Sequence, residues 1–129
     1  MKAQATTEFI IIFMLLLVAL SIVAAGSFSN MLDMTKSKKE LEATGIANKI
    51  SAKINTAFLE GPGFKANLTL PYTIYGLNYT ANMEGNFVTI DLDGLVYSRP
   101  LLTRNITGGP LPGPNMVENR EGVIVITQL

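Results

Sequence analysis

The chain passes through three hydrophobic regimes. From Phe9 to Ala25 every position except Ser21 is apolar, and no Asp, Glu, Lys or Arg lies between Glu8 and Asp33. As a helix, Phe9 to Phe28 would be about 30 Å long, enough to cross the hydrocarbon core of a bilayer. From Ala43 the apolar positions fall at 43, 46, 47, 50, 54, 57 and 58, the steps of three and four that mark one helical face. Asn48, Lys49, Ser51, Lys53 and Asn55 lie between them and predict a wet opposite face. Gly61-Pro62-Gly63 then ends the helix. The pattern predicts one helix from about Ala5 to Glu60, on the order of 80 Å long. That is too long for a compact small domain. Its first half is expected to pack outside its own domain, and its second half to lie under a head through Ile46, Ile50, Ile54 and Phe58. Gly26-Ser27 is either a bend or a point of close helix packing.

From Phe64 the period becomes two. Phe64, Ala66, Leu68 and Leu70 alternate with Lys65, Asn67 and Thr69, a half-buried strand that Pro71 ends or marks as an edge. YTIYG and LNYTA predict a second strand, or two short ones broken at Gly76. NMEGN predicts a turn. In NFVTIDLDG, Val88, Ile90 and Leu92 oppose Thr89, Asp91 and Asp93, and LVYS follows as another strand. RNITGGPLPGPNM has the composition of a loop. GVIVITQL is apolar on both faces, so it is expected centrally in the sheet or against the helix. The fold class is α+β: a long N-terminal hydrophobic α-helix, then a small antiparallel β-sheet head of four or five strands. The head has about 65 residues and no disulfide, so it needs the amphipathic half of the helix to complete a core.

Composition narrows the chemistry. The 129 residues contain ten basic and ten acidic side chains, and no Cys, His or Trp. No basic field for nucleic acid exists. Neither thiolate nor imidazole is present to ligate metal or act as a base. Ser or Thr with Lys has no suggestive spacing, nothing brings Asp91 to Glu118, and Gly108-Gly109-Pro110 lacks the Lys and helix of a phosphate loop. No catalytic residue and no cofactor is implied. Asp91 and Asp93, two apart on a strand, would point the same way, and Glu84 would approach across a hairpin. A calcium ion wants six to eight oxygens, so these acids read as a wet strand face and no metal ligand is assigned. Tyr72, Tyr75, Tyr79 and Tyr97 are either an adhesive face or ordinary strand residues.

Three readings of the N-terminus compete. One is a plain transmembrane anchor. Another is a cleaved secretory signal ending at Val23-Ala24-Ala25, against which stand the offset of Lys2 by Glu8 and the length of the apolar run. The third rests on KAQATTEF. It resembles the class III signal peptide of archaeal type IV pilin-like proteins, whose motif is Q-x-S-x-E before a hydrophobic run. Gln4, Thr6 and Glu8 fill that motif, with Thr in place of Ser and Ile12 where Leu is frequent. The resemblance covers the leader closely and the remainder in layout. It implies cleavage between Ala3 and Gln4 by a prepilin peptidase. Residues 1–3 would be the leader, 4–30 the transmembrane and filament-core half of the helix, 31–60 its amphipathic half, and 61–129 an extracellular β-rich head. It further implies that Glu8 pairs with the amine freed at Gln4 of a neighbouring subunit. In low dielectric an unpaired carboxylate is penalised and a paired one relieved. The bland alternative is an acid that favours the start of a helix.

The implied function is that of a structural subunit of a surface filament that also supports adhesion. Its helices would leave the membrane to pack together as a homo-oligomer, with an assembly ATPase and a membrane platform protein as further partners. A minor pilin, an archaellum subunit and a monomeric membrane-anchored surface-binding protein remain alternatives. An extracellular head would also make the sequons at Asn67, Asn78 and Asn105 acceptors for N-linked glycans. They read otherwise as ordinary surface amides.

Overall fold

A computed structural model describes all 129 residues. One helix, α1, runs from Lys2 to Glu60. The chain forms two compact units, Met1–Ser37 and Lys38–Leu129.

In the first unit every residue is solvent-exposed, including Phe9 at 67% and Leu16 at 63%. Straight-chain and small residues supply helix propensity, and nothing in the chain covers the side chains. Ser21 is tolerated within this apolar run because its hydroxyl donates to the Leu17 carbonyl at 2.8 Å, so no polar hydrogen is left without an acceptor. The Phe9 and Phe13 rings stack one turn apart, with centroids 6.2 Å apart. The helix is long and apolar enough to cross a membrane.

The second unit holds the core. Ala43, Ile46, Ala47, Ile50, Ile54 and Ala57 of α1 are buried against strand residues including Leu68, Val88, Ile90, Val117 and Ile124. The stripe read from spacing is thus the buried one, with a correction at its end. Ala57 is fully buried while Phe58 is 39% exposed, because Phe58 lies on the rim of the stripe. Gly61 stops the helix with φ of 89°, a left-handed conformation suited to glycine.

Seven strands follow: β1 (Lys65–Leu70), β2 (Tyr79–Glu84), β3 (Phe87–Leu92), β4 (Leu95–Pro100), β5 (Ile106–Thr107), β6 (Gly113–Arg120) and β7 (Val123–Gln128). They form two sheets where the sequence pattern suggests a single meander. One is the antiparallel meander β2-β3-β4; the other has the order β1-β6-β7-β5, in which only the short β5–β7 pair is parallel. Two-residue loops set the registers. Asp93-Gly94 joins the pair Leu92 and Leu95, and Glu121-Gly122 joins Arg120 and Val123, with positive φ at all four loop residues. Such loops match the right-handed strand twist. The same geometry at Tyr75-Gly76 turns the chain between the bridged residues Ile74 and Leu77, so YTIYGLN is a small hairpin turn preceding β2.

The segment expected to be a loop contains β5 and the start of β6, the largest departure from the sequence reading. The inward positions of β6 are Gly113, Asn115, Val117 and Asn119, all buried. Two amides stand where a core strand ordinarily carries apolar side chains, and both are satisfied. The Asn115 amide nitrogen lies within hydrogen-bonding distance of the carbonyls of Leu111 (2.6 Å), Gly113 (3.0 Å) and Leu68 (3.4 Å), and its oxygen accepts from Leu111 N–H. Asn119 donates to the Ala57 carbonyl at 2.8 Å and accepts from Gly122 N–H. β7 lies between β6 and β5 with Ile124 and Ile126 buried, the interior position its two apolar faces predict.

The helix face expected to be wet is partly a docking seam. Ser51 donates to the Pro100 carbonyl at 2.7 Å, Asn55 accepts from Leu102 N–H at 2.9 Å, and Asn48 accepts from the Arg99 guanidinium. Lys49 donates to the Thr69 carbonyl at 2.7 Å. These polar residues flank the apolar stripe, so they meet strand ends whose backbone groups need partners.

Candidate functional site

Two sets of residues carry functional expectation: the start of α1, and three amides on the head. Ala3, Gln4, Thr6 and Glu8 all lie in the first two turns of α1 and are exposed. The Ala3–Gln4 bond therefore sits in the first turn, where backbone N–H groups have no helical acceptor and opening is cheap. Gln4 and Glu8, four residues apart, share one helix face. The hydroxyls of Thr6 and Thr7 donate to the carbonyls of Lys2 and Ala3, each at 2.9 Å. Glu8 differs: its carboxylate takes part in no hydrogen bond and in neither ion pair of the chain, both of which centre on Glu118. It stands at the edge of the apolar run with its acceptors free.

On the head, Asn67 lies within β1, with Thr69 two residues on; both are exposed. Asn78 directly precedes β2 and Asn105 directly precedes β5; Thr80 and Thr107 stand in those strands, and all four are exposed. The Asn105 backbone is held at both ends. Its N–H donates to Thr103 Oγ1 at 3.0 Å and its carbonyl accepts from Ile124 N–H at 2.9 Å, leaving the side-chain amide in solvent. Asn78 borders a shallow depression of about 250 Å³ lined also by Tyr79, Thr80, Asp91 and Asp93.

The two aspartates do not share a strand face. Asp91 is in β3, whereas Asp93 is in the following turn with φ of 54°. Asp91 accepts from Gly94 N–H at 3.2 Å and so shapes that turn. Glu84 pairs with Phe87, at the opposite end of the hairpin from Asp91, which pairs with Thr80.

The four tyrosines do not form one face either. Tyr72 is 70% and Tyr75 55% exposed, Tyr97 is half-buried, and Tyr79 is buried. Tyr79 donates its hydroxyl to the Pro71 carbonyl, and burial pushes its phenol up to about 12. Glu118 is held below the usual carboxylate range, first by its hydrogen bond from Arg120 at 2.8 Å and then by Lys65 at 3.2 Å. Both groups tie segments of the head together.

Sequence reasoning missed Asn115 and Asn119, and treated Ser51 and Asn55 as solvated. The available signal was the alternation of Gly113, Asn115, Val117 and Asn119 at a period of two, masked by the Gly and Pro content around it. No protein family, curated protein or solved structure matches this chain.

Proposed function

We propose that the chain is a structural pilin subunit of an archaeal type IV-like surface filament, made competent by prepilin-peptidase cleavage between Ala3 and Gln4. The observation that carries this reading is the first unit of α1. It is an apolar helix with none of its surface covered by its own chain, and it begins with an unpartnered acid, Glu8. Each large side chain buried on leaving water is worth about 1.5–3 kcal/mol, so the run from Phe9 onward must lie in lipid or among other helices. Lipid satisfies the apolar residues. It leaves Glu8 at the boundary with free acceptors, a state that a cationic partner relieves.

Cleavage would supply that cation as the new amine of Gln4. Within one chain the amine and Glu8 would be a turn apart on one face, and between staggered neighbouring helices the same two groups would approach each other. The helices then pack through apolar surface and close contacts, while the head carries the outer surface, its N-linked glycans and adhesion. Before assembly the chain is held in the membrane by the same helix. The peptidase, an assembly ATPase and a membrane platform protein are its partners in that process.

The test is chemical and then genetic. Chain isolated from surface filaments is expected to begin at Gln4. Glu8→Gln is expected to insert in the membrane and be cleaved, yet to yield few filaments. A mature N-terminus after Ala25, or normal filament yield from Glu8→Gln, would overturn the proposal. Trace abundance within filaments made mostly of another chain would instead identify a minor pilin.

A further inference from the structure

The hairpin register fixes which backbone groups of the edge strand β4 are free. Asp93 and Gly94 close the β3–β4 hairpin with positive φ, so Leu92 and Leu95 exchange both of their hydrogen bonds and the ladder alternates from there. Leu95, Tyr97 and Arg99 turn their backbone groups toward β3, and the Leu101 N–H continues the series to the Asn86 carbonyl at 2.7 Å. Val96, Ser98, Pro100 and Leu102 turn theirs outward. α1 takes up the last two: Ser51 donates to the Pro100 carbonyl and Asn55 accepts from the Leu102 N–H. Pro100 itself has no N–H. The N–H and C=O of Val96 and of Ser98 are left, and neither the loops nor α1 supply them a partner. The same stretch is the least polar of the sheet edges. Every exposed position on the edge strands β1, β2 and β5 is polar or charged. On β4, Leu95 is 47% and Val96 60% exposed. Natural sheets guard an edge with charge, lysine above all. The one charge on β4, Arg99, is held by Asn48 of α1.

We infer that β4 is a homophilic contact, which pairs antiparallel with β4 of a second copy around a two-fold axis at Tyr97. The free groups select this occupant. In that register Val96 lies opposite Ser98 of the second copy, and Ser98 opposite Val96 of the second copy. Each pair exchanges two hydrogen bonds, so every free N–H and C=O finds a partner. The neighbouring registers fail. Setting Val96 against Val96 puts Ser98 opposite Gly94, whose N–H already goes to Asp91. Setting Ser98 against Ser98 puts Val96 opposite Pro100, which has no N–H and whose carbonyl Ser51 occupies. The pairing also fixes direction. Asn48, Ser51 and Asn55 of α1 meet Arg99, Pro100 and Leu102 in turn, so within the head α1 and β4 run the same way. The two-fold reverses one β4 relative to the other, and with it that part of α1. Helices bundled in one filament run alike, so the pair joins heads of oppositely directed chains, on facing filaments or facing membranes. This consequence rests on the filament reading, and it gives the adhesion assigned to the head a partner: another copy of the same chain.

The chain has no cysteine, so introduced thiols report the pair directly. Full-length Val96→Cys and Ser98→Cys chains are placed in separate phosphatidylcholine vesicles, which are then mixed under mild oxidation. A disulfide-linked dimer is expected between the two populations. Its yield should be several-fold above that from vesicles that all carry Val96→Cys, because diagonal residues of a ladder lie about 7–8 Å apart, beyond disulfide reach. Vesicles of wild-type chain are expected to cluster, read as a rise in light scattering. Val96→Lys adds a guarding charge at an exposed position, and Ser98→Pro removes an outward N–H that the β3–β4 ladder does not use. Each should keep the near-ultraviolet dichroism of the wild type and lose clustering several-fold. Undiminished clustering by either folded variant, or no cross-link between the populations, would overturn the pair and leave the edge to a strand of another protein. Equal yield from Val96→Cys alone would overturn the register. Both cysteine chains together in dilute vesicles that do not touch should cross-link several-fold less; an equal yield there would overturn the opposed direction. None of these outcomes touches the filament reading, which stands or falls on the N-terminus at Gln4 and on Glu8→Gln.

Discussion

Asn115→Asp replaces one NH₂ group by an oxygen at a site with no solvent exposure. The change is isosteric, so packing is held constant and the hydrogen-bond polarity alone is altered. In the wild type the amide nitrogen faces three carbonyl oxygens, of Leu111, Gly113 and Leu68. A carboxylate there would turn its negative oxygen toward all three. It would retain one favourable contact, from Leu111 N–H at 3.0 Å. The loss of about two hydrogen bonds at roughly 1 kcal/mol each, plus burial of an uncompensated charge at about 3–5 kcal/mol, predicts destabilisation of at least about 4 kcal/mol at neutral pH. Asn115→Ala removes the same donors without adding charge and is expected to cost less, about 2–4 kcal/mol. Burial and the facing carbonyls would raise the new carboxyl above its unfolded value in the folded chain. The folded state then binds the proton more tightly than the unfolded state between those two values, so stability rises as pH falls through that window. Unfolding of detergent-solubilised chain by denaturant, followed by near-ultraviolet dichroism, reports this cleanly. All four tyrosines lie between residues 72 and 97, and there is no tryptophan. An Asp variant within about 1 kcal/mol of the wild type, or one that gains nothing relative to it on acidification, would refute the account of β6 as a strand held by buried amides.

Three further outcomes follow from the packing. Ile50→Ala, at a fully buried position, is expected to cost about 2–5 kcal/mol; Phe58→Ala, on the 39% exposed rim, should cost clearly less in the same denaturant series despite the larger side chain. Tyr79 titrates late because burial disfavours its phenolate. The unfolded state therefore loses this proton first, and the contribution of Tyr79 to stability falls as pH rises from about 10 toward about 12. Tyr79→Phe should remove a phenol transition near 12 in an ultraviolet titration, lose about 1 kcal/mol at neutral pH, and lack that alkaline slope. Gly108→Ala would place a methyl 2.3 Å from the Ile126 carbonyl oxygen at a φ of +81°. Thermal unfolding should show a loss of at least about 2 kcal/mol, and an unchanged midpoint would show that the β5–β7 junction is looser than described.

The fold was legible in the sequence where one physical signal acted alone. The span of α1, the stripe Ile46, Ile50 and Ile54, the stop at Gly61 and the strands β1, β3 and β7 all follow from the period of apolar positions or from a backbone breaker. The candidate N-terminal site was equally legible, because an acid at the mouth of an apolar run is visible without coordinates. The reading failed where signals competed. Around β6, Gly113, Pro114, Asn115 and Asn119 read as loop chemistry, yet the strand forms because each buried amide finds backbone partners contributed by distant segments. Phe58 carries a stronger apolar signal than Ala57, but helical angle sets which of them faces the sheets.

The sequence by itself determined the local terms: helix, strand alternation, turn residues, the uncovered apolar segment and the absence of thiol or imidazole chemistry. These depend on neighbours within a few residues, and a linear pattern records such neighbours completely. Tertiary structure alone decided that there are two sheets, that β6 is interior, and that Ser51 and Asn55 meet backbone groups at and just past the end of β4. Strand order and the partners of a buried amide depend on residues some fifty positions apart, as Asn115 is from Leu68 and Asn119 from Ala57. Hydrogen bonding over such separations leaves no period in the chain, so only the folded arrangement reveals it.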